Sequence, residues 1–212
     1  LSRYTKNRSV CTVSAITRLP GSGSTVDIGR LKLAGDIPAL IGCLNSRDPA
    51  VQWRAAEALG SCGEQAVPLL LLALQSRFIP VRLGAIEALG TIRDQSTGNP
   101  IVTVVNHDRS LEVRWAAVLA LGEIGSTDAI PCLVPLLRDP NRYLRYGAAI
   151  TLTRLGWQPE NEDENAGLLI AQQDWESVLR LGPAAVPHLL HIFRDYDPAT
   201  REKIASIFGQ IG

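Results

Sequence analysis

Apolar and small residues recur along this chain with two periods, one nested in the other. Residues 53–60 read WRAAEALG, residues 83–90 read LGAIEALG and residues 115–122 read WAAVLALG. Each segment ends on a glycine (Gly60, Gly90, Gly122), and nine residues before each glycine is a valine (Val51, Val81, Val113). A fourth copy starts at Leu144 and ends at Leu155-Gly156. A fifth starts at Asp197-Pro198, passes Arg201 and runs to Gly212. The first four valine-type positions are 30, 32 and 31 residues apart. A fixed period in this range marks units that cannot bury their apolar faces alone and stack to do so.

Inside a copy the spacing is helical. Val51, Ala55, Ala58, Leu59 and Cys62 fall on one face, and the small alanines allow close helix contact. Asp-Pro at 48–49, 139–140 and 197–198 predicts where these first helices begin. The aspartate caps unpaired backbone N–H groups, and a proline at the first helical position gives up no needed bond. Gly60 or Gly63 is expected to end the helix. A second helix is predicted from Ala66-Val67-Pro68 with Leu70, Leu71 and Leu74. The same motif returns at Ala129-Ile130-Pro131, at Ala185-Val186-Pro187 and, near the front, at Asp36-Ile37-Pro38. The expected fold is therefore all-α: an α-solenoid of stacked helix pairs over residues 27–212, with a period of about 31 residues.

Two stretches break the period. Residues 1–26 are rich in Ser, Thr and Gly and read as a flexible basic tail or linker. Residues 157–182 insert a helical element: an acidic loop or helix start over 159–165, then one helix from Ala166 to Leu181 that packs through Leu169, Ile170, Trp175, Val178 and Leu179. The last copy has a first helix and no second, so apolar surface there is expected to meet a partner or further chain.

The motif Asp-Pro-x-Val-x-x-x-Ala-x-x-Ala-Leu-Gly resembles HEAT-like repeats, of the short-repeat kind first associated with phycobilisome lyase subunits. The resemblance covers residues 27–212 and implies a right-handed α-solenoid. It does not single out a function, because the architecture carries scaffolds, enzymes and chaperone-like proteins alike.

Charge narrows the function classes. Lys plus Arg equals Asp plus Glu, 21 each, so no global charge favours nucleic acid or membrane. Four cysteines at 11, 43, 62 and 132 show neither metal nor redox spacing, which fits reduced thiols in the cytoplasm. No apolar run is long enough to span a membrane. The chain has no methionine and reads as a piece of something longer.

Catalytic chemistry finds little support. His188 and His191 share a helix face and read as solvent-facing; Asp195 is one turn on, and no further ligand is forced nearby. The His-Glu pairs of HEAT-like deoxyhypusine hydroxylases do not occur, so neither a metal nor that activity is carried over. Gly-Ser-Gly at 21–23 lacks the lysine and helix of a phosphate loop. The second-helix positions expected on the concave side (Ala39, Gly42, Leu69, Leu72, Cys132, Pro135) are apolar or neutral, with Arg138 and Arg194 as exceptions. That is too little positive charge for strong phosphate binding. No catalytic residue and no cofactor is assigned.

Two columns remain. Arg82, Arg114 and Arg145 lie one past the valine-type position, with Gln52 in the first copy and Arg201 in the last. They are expected to pair with Asp48, Asp139 and Asp197 at neighbouring helix starts and tie repeats together. Trp53, Leu83, Trp115 and Tyr146 lie two past it, about 200° around the helix and away from the core. They are expected either to half-cover the adjacent repeat or to form a partner-binding ridge roughly 30 Å long. The function that fits is a non-catalytic scaffold holding another protein, or another domain of the same chain. The alternatives are a lyase-type or other enzyme subunit with a small molecule in the concave groove, and nucleic-acid binding through the basic tail.

Overall fold

A computed structural model describes residues 26–193 and 198–211. The tail over residues 1–25, and with it the basic segment expected to face nucleic acid, lies outside the described residues, as do Arg194, Asp195 and Asp197. Among the described residues the regular structure is helical, without strands, and no helix is long and apolar enough to cross a membrane. The chain divides into two compact units, the first ending at Ile124 and the second beginning at Gly125.

The first unit is α1 (Ile28–Ala34), α2 (Ile37–Cys43), α3 (Pro49–Ser61), α4 (Val67–Ala73), α5 (Ile79–Ile92), α6 (Gly98–His107) and α7 (Leu111–Ile124). Helices α3, α5 and α7 are the predicted first helices and pack side by side, α3 on α5 and α5 on α7. Their inner faces are the repeated positions: Ala55, Ala85 and Ala117 are fully buried, and so are Leu59, Leu89 and Leu121. Asp48 caps α3, its Oδ1 accepting from the Ala50 N–H at 2.9 Å, with Pro49 in the first turn.

The repeated glycine does not end the helix. A Cβ on Gly60 would sit 2.9 Å from Thr91 Cβ, so this glycine makes room for the Thr91 side chain of α5. The stop lies twelve residues past the valine-type position, at Gly63, Arg93, Gly125 and Gly156, all with positive φ of 61 to 76°. Arg93 is the exception in this left-handed column, a side chain where the other copies have none.

The second unit keeps the first helix and alters the second. It contains α8 (Ile130–Leu133), α9 (Arg142–Arg154), α10 (Glu162–Ala171), α11 (Trp175–Leu181), α12 (Val186–Ile192) and α13 (Pro198–Ile211). The helix expected from Ala129 onward lasts one turn and gives way to 3-10 structure over Val134–Arg138. Pro135 has no N–H to continue the α-helical ladder, and the tighter turn absorbs its ring. The fourth first helix opens two residues later than Asp139-Pro140 predicts: Asn141 caps α9, accepting from Tyr143 and Leu144 N–H groups. The inserted element is two helices, α10 and α11, where one was expected. Gln173 takes positive φ, and Asp174 caps α11 by accepting from the Ser177 N–H. Ile170 and Val178 join Leu189, Ile192, Ile204 and Ile207 in one core, with Leu169, Trp175 and Leu179 packed against it.

Candidate functional site

The aromatic positions stand clear of the core. Trp53 is 60% exposed, Trp115 38% and Tyr146 51%, while Leu83 is half-buried. In the first unit, helix geometry puts Trp53, Leu83 and Trp115 on the outer face of α3, α5 and α7, since the positions two and five past them turn inward. One turn further along that face lie Glu57, Glu87 and Leu119. Tyr146 holds the same position on α9 of the second unit, exposed beside Tyr143, whose ring lies under the Arg142 guanidinium.

Between α5 and α7 this face sinks into a groove of about 740 Å³. Its floor is small and apolar, from Ile86, Gly90, Ala116 and Ala120; Leu83, Trp115 and Leu119 form apolar walls. Glu87, Thr91, Arg93 and Glu123 are its polar groups. Thr91 donates back to the Glu87 carbonyl. Arg93 Nη2 reaches Glu123 Oε2 at 3.3 Å, an exposed pair that contributes little to stability. Partial burial in the groove pushes the Glu87 carboxyl above its usual range. No cation pairs with Glu87 among the described residues. An apolar trough with a partly desolvated carboxylate can take up an apolar group that carries a positive charge.

The arginine column serves the helix starts. Gln52 Nε2 donates to the Ser46 carbonyl at 2.6 Å, Arg82 Nη1 to the Ser76 carbonyl at 2.8 Å and Arg145 Nη1 to the Asp139 carbonyl at 2.9 Å. Each acceptor lies five before the valine-type position. That same residue's side chain accepts the N–H two residues on: Ser46 from Asp48, Ser76 from Phe78, Asp108 from Ser110, Asp139 from Asn141. Arg114 Nε donates to the Val105 carbonyl at 2.8 Å. The carboxylate opposite Arg82 is Asp108, bound by two parallel bonds of 2.7 and 2.9 Å. This links α5 to the turn that opens α7. Asp48 acts as the cap of α3. Arg201 is exposed on α13. The Ser/Asp position five before the valine was a readable signal, and sequence reasoning passed over Asp108.

In the second unit the expected solvent-facing histidine pair is corrected. His188 is 5% exposed, because α12 turns it inward against Gly167 of α10. Its Nε2 lies 2.8 Å from Asp163 Oδ1 and 2.9 Å from Arg138 Nη2, and Arg138 also pairs with Asp163. His191 is exposed, its Nε2 2.9 Å from the Arg138 carbonyl. Burial, offset in part by Asp163, holds the His188 pKa below its ordinary 6.5. The bond from His188 lowers that of Asp163. Asp163 is a residue that sequence reasoning missed. Among the described residues no cluster has the three ligands a metal would need.

Paired helices and repeated close contacts define a helical repeat protein of the α-solenoid class. The model of HEAT repeats matches residues 37–109, 67–153 and 99–182, and the chain belongs to this family. It is similar in fold to the complex of CpcE and CpcF of phycocyanin lyase from Nostoc sp. PCC7120, at 22% identity and a TM-score of 0.55, over 82% of this chain and 99% of that one. A designed armadillo repeat protein in complex with the peptide (KR)4 is a more distant match, at 17% identity and a TM-score of 0.44, over 94% and 90%. No curated protein matches the chain significantly by sequence.

Proposed function

We propose that the chain is a non-catalytic scaffold, in the cytoplasm, that binds another protein or another domain of its own chain through the outer face of its first helices. The observation that carries this reading is the exposure of Trp53 and Trp115 at one repeated position, in a fold whose core is complete without them. Exposed tryptophan beside a polar rim is the composition of interface hot spots. Tyr146 provides the same chemistry in the second unit, and the HEAT-repeat fold supports a binding role. The arginine column serves structure in this reading, through the turns that begin each repeat.

The test is capture from lysate with the wild type beside W53S/W115S/Y146S, both checked for helicity. A protein held by the wild type and released by the folded variant supports the scaffold. Capture of the same proteins by both, or of none, sinks it. A second reading has one observation in its favour: 740 Å³ is a volume that suits a small molecule. An enzyme subunit with a coloured ligand in the groove would absorb visible light when purified, and a colourless protein would remove that form of the reading.

A further inference from the structure

We propose that the groove between α5 and α7 takes a lysine or arginine side chain from a basic segment of a partner protein, its cation against Glu87 and its aliphatic stem along Leu83 and Trp115. The proposal rests on the scaffold reading above and adds the chemistry of the partner.

Charge complementarity argues for this occupant. The groove has two carboxylates, Glu87 and Glu123, and one base, Arg93. Arg93 is engaged with Glu123 at the rim, which leaves Glu87 as the excess charge. Glu57 repeats the acid on α3, one turn beyond Trp53; Arg54 is the exposed base beside it. Glu87 is exposed at the edge of the groove, beside its apolar walls, and a carboxylate so placed gains most from a cation with a long apolar stem, which is what lysine and arginine are. Trp115 adds a ring face on which such a cation can rest. An acidic partner would meet Glu87 as a like charge. A purely apolar partner would bury the carboxylate without compensation.

Arg93 gives the groove a second unusual feature. It occupies the left-handed position that three other copies fill with glycine. Strain of this kind is kept where a side chain has work to do. Here the side chain brings a guanidinium to Glu123, so the lip of the groove already shows the pairing that the proposal extends to Glu87.

The test uses the full chain and a fluorescein-labelled peptide of alternating lysine and leucine, with an alternating glutamate–leucine peptide as control. Anisotropy is read at physiological salt. The lysine peptide should bind and the glutamate peptide should not. E87Q and W115A should each weaken binding about tenfold, while E64Q, an exposed acid on the turn before α4, should change it less than twofold. Equal losses from E64Q and E87Q would mean diffuse attraction to any acid and overturn the site. Failure of the lysine peptide to bind both the wild type and the tail variant described next would do the same. Residues 1–25 hold Arg3, Lys6, Arg8 and Arg18 and no acid, so a variant with all four changed to glutamine is measured in parallel. Unchanged peptide affinity in that variant supports a partner in trans. Binding that appears only in that variant assigns the groove to the chain's own segment and overturns the trans assignment. If the aromatic triple variant loses its captured protein while E87Q leaves peptide binding intact, the scaffold stands and the cation site falls.

Discussion

The two units spell out the same repeat and use their polar residues differently. In the first, α3, α5 and α7 keep the buried Val, Ala and Leu positions, and the turns before them satisfy their own backbone through Ser46, Ser76 and Asp108. The outer face is then left with little internal work. Trp53 and Trp115 stay exposed, and Glu87 has no cation partner among the described residues. In the second unit Pro135 shortens one second helix and residues 157–182 add two more. Here the polar groups are consumed internally, with Arg138, Asp163, His188 and His191 bonded to one another. Regular repetition leaves a surface spare, and irregularity draws polar side chains inward to hold the departure together.

Substitutions can break that contrast. The largest effect is expected from D108A, which strands the nearly buried Arg82 guanidinium and removes the turn at the start of α7. Breaking a buried pair from one side costs about 3 kcal/mol or more, which urea denaturation of the chain will show. G60A comes next, since the new methyl group must push Thr91 aside where α3 and α5 touch. Overpacking of this kind costs about 1–3 kcal/mol, and hydrogen exchange should place the loss in the first unit. R93G and G63A form an opposed pair at equivalent positions of positive φ. The first should stabilise and the second destabilise, each by about 1 kcal/mol, with the weak Arg93–Glu123 bond reducing the gain of R93G.

The smallest effect is a pH dependence confined to the second unit. The folded-state pKa of His188 lies below the ordinary 6.5, so the unfolded chain takes up the proton first. Its contribution to stability is complete above 6.5 and is lost as pH falls through the lower folded value. Asp163, also lowered, acts further down, its contribution disappearing as pH falls below the ordinary 3.8. Exchange protection around α10 and α12 should therefore weaken on mild acidification in the wild type. H188Q should flatten the response as pH falls below 6.5.

Much of the fold was legible because it depends on periodicity. The valine-type positions and the Ala-Leu pairs placed α3, α5, α7 and α9 in register, and their burial follows from helix geometry. The departures come from groups whose role depends on a neighbour outside their own repeat. Gly60 looked like a stop because glycine ends helices, but its function is to let α5 come close. The stop is Gly63, the other position read as the helix end, and its column was partly hidden because one copy uses arginine. Asp139-Pro140 looked like Asp48-Pro49 yet stands two residues out of register, so Asn141 caps the helix in its place. His188 appeared exposed because its own helix shows no partner; Asp163 and Arg138 reach it from 25 and 50 residues away in sequence. The aromatic column was visible as a pattern, while the groove beside it needed α5 and α7 placed together.

In the scaffold reading the aromatic column is surplus to the fold. That claim is tested most directly by urea unfolding of W53S/W115S/Y146S, followed by far-UV circular dichroism. Unchanged helicity and a stability within about 1 kcal/mol of the wild type, the range of surface substitutions, are expected. A loss of about 3 kcal/mol or more, the range for removing a buried aromatic side chain, would show that these residues belong to the core and would contradict it.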